Sequence, residues 1–195
     1  RNRESTTVIE VSDRPLDYQK RPKDDELSRG RFIASHCIET HMRTIIEPAR
    51  EIDVVHETDV LVVGSGPGGL AAALASARAG VNTTLVERYG CFGGNITQVG
   101  VEGFAWYRHE ATIDSEGIGP EFEQRARAMG AAMPEPQSLS HALDAEMFKY
   151  VADVLVQEAG VEPMLHRSFV APIVEDGAIR GIVTESKAGR EAILA

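Results

Sequence analysis

DVLVVGSGPGG (residues 59–69) decides how this chain is read. DVLVVG is a short continuous apolar run, the pattern of a parallel-sheet strand buried on both faces. It passes directly into Gly64, Gly66 and Gly69, spaced G-x-G-x-x-G. An alanine-rich stretch with high helix propensity follows over residues 67–79, and Gly80 is placed to end it in the left-handed conformation. VNTTLVE (81–87) is a second β-rich run. Strand, glycine turn, helix and strand over residues 59–87 make a βαβ unit.

Each glycine has its own task. The first permits the tight turn, the second lets backbone approach a pyrophosphate, and the third lets helix and strand pack closely. Free N–H groups at the helix start, with the helix dipole behind them, attract phosphate. Glu87 ends the second strand about 20 residues on, where a carboxylate accepts hydrogen bonds from a ribose diol and repels a 2′-phosphate. These features point to a dinucleotide cofactor, NAD or FAD. A second glycine pair, Gly93-Gly94 in ERYGCFGGNITQVG (87–100), could provide the further close backbone approach that a flavin's longer ribityl portion needs.

Outward from this unit, residues 119–131 are expected as a helix and MPEPQ (133–137) as a connector. A clearer helix begins after Asp144 as N-cap, with Met147, Phe148, Val151, Val154 and Leu155 on one face and Gly160 closing it. Beyond it the apolar period changes to two. Residues 168–195 contain an Asp176-Gly177 turn and a KAGR turn, the pattern of an antiparallel three-strand meander. Pro163 and Pro172 mark edges or bulges. Residues 1–52 are charged and proline-containing, and read as a partly extended arm, with 32–46 open between short helix and strand. Residues 53–195 read as the domain.

The chain has 195 residues, 43% hydrophobic and 26% charged, with net charge −10. The acidic balance argues against a nucleic-acid surface, and no apolar run is long enough to span a membrane. Two cysteines, Cys37 and Cys91, make neither a disulfide framework nor a CxxC pair, so a reducing cytoplasm is expected. Cys91 reads as a packing residue, and Trp106, Tyr107 and His109 as an aromatic loop. His36 and His41 make a poor metal pair, and no metal is expected.

DVLVVGSGPGGLAAA, ERYGCFGG, EPAREIDVV and IVEDGAIRGIVTESKAGREAI together resemble the FAD-dependent oxidoreductases, nearest to the glutathione-reductase-like flavoproteins, over about residues 47–195. The resemblance implies an α/β fold: a Rossmann-like FAD-binding domain with a parallel sheet and an antiparallel β-meander. It implies that Gly64, Ser65, Gly66, Pro67, Gly68 and Gly69 wrap the FAD pyrophosphate. Glu87 would hold the ribose and Arg88 would lie beside the adenine. Gly93, Gly94 and Asn95 would line the pyrophosphate and ribityl path, and Phe169 or Val170 would contact the adenine.

The family's third FAD motif, a strand ending in a T-G-D type turn, would follow the meander, and the chain ends at EAILA. The expectation is therefore a first part, incomplete at the C-terminus and without a substrate domain. A longer chain, a second polypeptide or a homo-oligomer would complete it. The implied function is FAD-dependent hydride transfer from a small organic substrate to flavin, with catalytic residues unknown. The alternatives are a fumarate-reductase or ketosteroid-dehydrogenase type flavoprotein, and a non-catalytic nucleotide-binding subunit.

Overall fold

A computed structural model describes residues 11–13, 43–104, 108–109, 112–113, 115–135 and 140–195. The chain divides into two compact units, Arg1–Glu51 and Ile52–Ala195. In the first, β1 (Val11–Asp13) and β2 (Arg43–Ile45) pair antiparallel with Val11 opposite Ile45, so the 32–46 segment finishes as strand. Glu47 and Arg50 form an ion pair just beyond it.

The second unit begins with β3 (Val54–Glu57), β4 (Val60–Val63), α1 (Pro67–Arg78) and β5 (Thr83–Val86). Two short pieces, β6 (Arg108–His109) and β7 (Thr112–Ile113), pair with each other. Then come α2 (Ile118–Ala128), β8 (Ala132–Glu135), β9 (Ser140–Leu143), α3 (Ala145–Ala159) and β10 (Glu162–Met164). The meander strands β11 (Ser168–Glu175), β12 (Ala178–Ser186) and β13 (Gly189–Leu194) close the described chain.

Three layers result. The middle layer is a parallel sheet ordered β10-β5-β4. β5 is buried along its whole length, and its side chains alternate as strand geometry requires. Thr83 bonds Ser76 of α1, and Leu85 joins the core of the helices. On the opposite face Thr84 bonds His56 of β3, while Val86 packs on Ile182 and Ile193 of the meander. The helical layer buries Leu70, Ala73 and Leu74 of α1 against Phe122 and Ala126 of α2 and Phe148, Val151, Ala152 and Leu155 of α3. Partly exposed ion pairs join the helices at their rims: Arg78 to Glu121 at 2.6 Å and Arg125 to Glu158 at 2.7 Å. Such pairs contribute little to stability compared with the core. The third layer is a sheet ordered β11-β12-β13-β3, antiparallel except where β3 pairs parallel with β13.

The α/β fold, the βαβ unit and the meander are as the sequence leads one to expect. Asp144 caps α3 by accepting from the Met147 N–H at 3.0 Å, and Gly160 ends it with φ 73°. Asp176 and Gly177 both have positive φ, 51° and 78°, as a two-residue type I′ hairpin turn demands. Pro163 and Pro172 lie in β10 and β11, both at sheet edges.

Four expectations need correction. DVLVVG is not a strand buried on both faces: β4 lies at a sheet edge and is half-exposed, and β5 holds the central place. MPEPQ is not a plain connector, because residues 132–135 pair with β9, with Pro134 opposite His141. Each strand of a two-stranded ribbon has one unpaired side, and a proline nitrogen facing that side costs no ladder hydrogen bond. The buried stripe of α3 runs through Ala152 and Val156, leaving Met147 38% exposed. Finally, β3 and β10 are strands that the sequence pattern does not announce. No helix among the described residues is long and apolar enough to cross a membrane. Cys37, His36, His41, Trp106 and Tyr107 lie outside the described residues.

Candidate functional site

The carboxyl ends of β4 and β5 and the start of α1 converge on a cleft of about 240 Å³. Gly64 makes the turn out of β4 with φ +93°, and its N–H donates to the Val86 carbonyl at 2.8 Å. A Cβ at Gly69 would strike the Gly64 carbonyl oxygen, so this glycine is what lets α1 lie against its own strand. Gly66 differs. Its φ is −60°, a value any residue adopts, and an added Cβ would meet nothing within 4 Å. Gly68 likewise faces open space. The chain itself therefore requires glycine at the first motif position through its positive φ and at the third through packing, and leaves room at the second.

The second glycine cluster folds back onto the first. The Gly93 N–H donates to the Ser65 carbonyl at 2.9 Å, and a Cβ on Gly94 would come within 2.6 Å of Gly66 Cα. Gly93 and Gly94 both have positive φ, 113° and 53°. Gly94→Ala should therefore lower stability by about 2–3 kcal/mol in chemical denaturation, combining left-handed strain with a backbone collision. An unchanged denaturation midpoint would show that the two clusters do not depend on this approach.

Glu87 is 6% exposed at the head of the cleft. Its Oε2 accepts from the Ser65 N–H at 2.8 Å and from the Ser65 hydroxyl at 2.5 Å, and its Oε1 accepts from the Tyr89 N–H at 3.0 Å. Burial by itself would push this carboxyl up. The Ser65 hydroxyl and the N–H groups of Tyr89, Ser65 and Arg88 outweigh burial and hold it below the usual carboxylate range. The Arg88 guanidinium lies 4.6 Å from the centroid of the Tyr89 ring.

Of the residues expected at the site, Gly64, Ser65, Gly66, Glu87, Arg88, Gly94 and Phe169 line the cleft. Pro67, Gly68, Gly69, Gly93, Asn95 and Val170 are not in its lining. Pro67 opens α1, and the Asn95 carbonyl accepts from the Val101 N–H at 2.9 Å. Sequence reasoning missed Val63, Val86, Tyr89 and Arg167. The two valines were reachable, because they are the last residues of adjacent parallel strands, where such sheets bind ligands. Arg167 carried no signal: it reaches the cleft from the entry to β11 and pairs with Glu191 of β13. Cys91 is half-buried and accepts from Gln98 Nε2. Among the described residues no cluster of three or more metal-ligating side chains occurs.

A βαβ turn with a glycine-lined cleft at its strand ends and a buried acid beyond the second strand defines a Rossmann-like dinucleotide-binding protein. The chain belongs to the FAD dependent oxidoreductase family, whose model matches residues 59–195. FAD, the cofactor that the resemblance and the second glycine pair together led one to expect, is the one that family carries. The chain is 33% identical over 104 residues to a thiamine thiazole synthase of Metallosphaera sedula, covering 53% of this chain and 35% of the relative. It is 29% identical over 136 residues to a digeranylgeranylglycerophospholipid reductase of Methanosphaerula palustris, covering 64% and 33%. In three dimensions it resembles a geranylgeranyl bacteriochlorophyll reductase-like protein of Thermoplasma acidophilum (TM-score 0.50, 22% identity, 72% of this chain and 38% of that one), a likeness of fold. The chain spans about a third of the length of the curated relatives it matches. A second model, the outer membrane lipoprotein Slp family, matches residues 1–55. That is a minority of the chain, a similarity and not membership.

Proposed function

We propose that residues 53–195 form the FAD-binding part of a flavin-dependent oxidoreductase, and that residues 1–52 lie outside it as an arm. The observation that carries the reading is the open space at Gly66. The chain's own atoms do not need glycine there, so an external group accounts for it, and a pyrophosphate in front of a helix N-terminus fits that demand. The N–H groups of Gly66, Gly68 and Gly69 would hold the phosphates on a turn shaped by Gly64, Ser65 and Pro67, with Gly94 and its neighbours Gly93 and Asn95 extending the path. Glu87 would accept from a ribose hydroxyl, Arg88 would lie beside the adenine, and the Phe169–Val170 backbone would bound it. When bound, FAD supplies the hydride acceptor for a small organic substrate. The cleft's volume, below the ~300–1,000 Å³ of whole-ligand sites, suits one end of an extended cofactor.

Completion by further polypeptide or by a second copy belongs to the same reading. So does cytoplasmic placement, favoured by the sparse cysteines and opposed by the lipoprotein match over residues 1–55.

The test is to denature the purified protein, identify the released dinucleotide, and titrate the chain with FAD. FAD should be recovered or bound. Recovery of NAD in its place, or no FAD even in the complete assembly, would sink the proposal. Glu87→Ala should weaken FAD binding by about 1–3 kcal/mol. It should also destabilise the chain without cofactor, because it orphans the Ser65 and Tyr89 donors. Depression of the Glu87 carboxyl means its stabilisation is complete above the unfolded-state value and is lost as pH falls through the folded one. Melting temperature measured against pH should therefore fall on the acid side in the wild type and be flatter there in Glu87→Gln. Parallel curves would refute the assignment.

A further inference from the structure

Three hydrogen bonds reach the Glu87 carboxylate before any ligand arrives, and the Arg88 N–H nearby also favours its ionised form. Oε2 takes two hydrogen bonds, both from Ser65, and Oε1 takes one from Tyr89. Ser65 is fully buried, so its hydroxyl has no solvent alternative. Its neighbours in the glycine motif offer only backbone; Ser65 brings a side chain, and it is aimed at the acid rather than at the open space before the helix.

We propose that Ser65 is the positioning residue of the cofactor site: its hydroxyl and N–H saturate Glu87 Oε2, so that Oε1 alone remains to receive a ribose hydroxyl. The inference rests on the FAD reading above and deepens it. Without the lock, the carboxylate rotates about its terminal torsion, which is a broad and soft one, and presents no fixed acceptor to the ribose. The hydroxyl also favours the ionised carboxylate over the neutral acid, since the charge-assisted bond it donates to the anion is the stronger one.

Other charged or titratable groups surround Glu87. Arg88 and Tyr89 follow it on the same strand exit. From the approach to β11 come His166, whose N–H donates to the Tyr89 carbonyl at 3.1 Å, and Arg167, whose N–H donates to the Glu87 carbonyl at 2.9 Å. The Arg167 guanidinium is engaged by Glu191 of β13. The side-chain donor to the Glu87 carboxylate is Ser65.

The test compares four proteins: wild type, Ser65→Ala, Glu87→Gln and the double variant. ADP, standing for the adenosine half of FAD, is titrated into each by equilibrium dialysis from about pH 3 to 8. Melting temperatures are taken without ligand over the same range. Ser65→Ala should bind ADP about tenfold more weakly at neutral pH. Its loss of binding should begin at higher pH than in the wild type, because the free carboxyl is less depressed, and its acid loss of melting temperature should be smaller. In the Glu87→Gln background the same substitution should leave both profiles where they are. His166, Arg167 and Glu191 are common to all four proteins, so their contributions cancel. Superimposable wild-type and Ser65→Ala profiles, or an equal shift in the Glu87→Gln background, would overturn the proposal. A wild type that binds neither ADP nor FAD even in the complete assembly overturns the FAD reading and this proposal together, so the two failures are told apart.

Discussion

Gly66→Val is expected to abolish FAD retention while leaving the fold intact. Gly66 has φ −60° and ψ 172°, an extended conformation that a β-branched residue adopts without strain. Its Cβ would meet nothing within 4 Å, so the isopropyl group displaces none of the protein's own atoms. Gly66 makes no side-chain cap bond to α1, and exchanging glycine for valine at an N-cap costs at most about 1 kcal/mol. What the side chain does occupy is the space in front of the free N–H groups of α1, where the pyrophosphate would sit. Circular dichroism and melting temperature should stay near wild type while bound flavin, read by absorbance after gel filtration, disappears. A Gly66→Val protein that still retains FAD would mean the pyrophosphate lies elsewhere. Loss of fold together with loss of flavin would mean that Gly66, like Gly69, is needed by the chain itself.

Phe148→Ala should have the largest effect on stability, about 3–5 kcal/mol in chemical denaturation. Phe148 is 0% exposed at the centre of the helical layer. Its ring meets Phe104 and Phe122 edge-on, each with centroids 6.2 Å away, so truncation removes two aromatic contacts as well as the buried area. The neighbours that would have to collapse into the void, Phe122 and Val151, are themselves fully buried, which limits relaxation. Against a typical total of ~5–15 kcal/mol, this leaves a marginal domain. Phe148 does not line the cleft. Flavin bound per folded molecule should therefore be preserved below the lowered transition, and its loss at those temperatures would show that the helical core also shapes the site.

Legibility varied along the chain for identifiable reasons. The βαβ unit was plain because local signals agree: an apolar strand, a glycine turn and an alanine-rich helix ended by Gly80, whose φ is +84°. The α3 boundaries were plain because Asp144 and Gly160 are chemical caps. β3 was obscure because four residues next to another short apolar run have no period of their own; pairing with β13 makes them a strand. The buried His141–Glu123 contact, 2.8 Å between β9 and α2, carried no sequence signal. Either residue alone reads as surface.

By itself the sequence determined the class of site: the glycine spacing, the acid beyond the second strand and the second glycine pair are chemical requirements of a dinucleotide, written locally. It could not say which glycines serve the ligand and which serve the fold. That depends on what stands opposite each Cα, and only tertiary structure places Gly64 behind Gly69, Gly66 behind Gly94, and open space before Gly66 itself. Nor could it show that Glu87 arrives at the site already bound to Ser65. A carboxylate's remaining acceptors depend on neighbours in space, and those two residues meet only because parallel β4 and β5 bring their ends together.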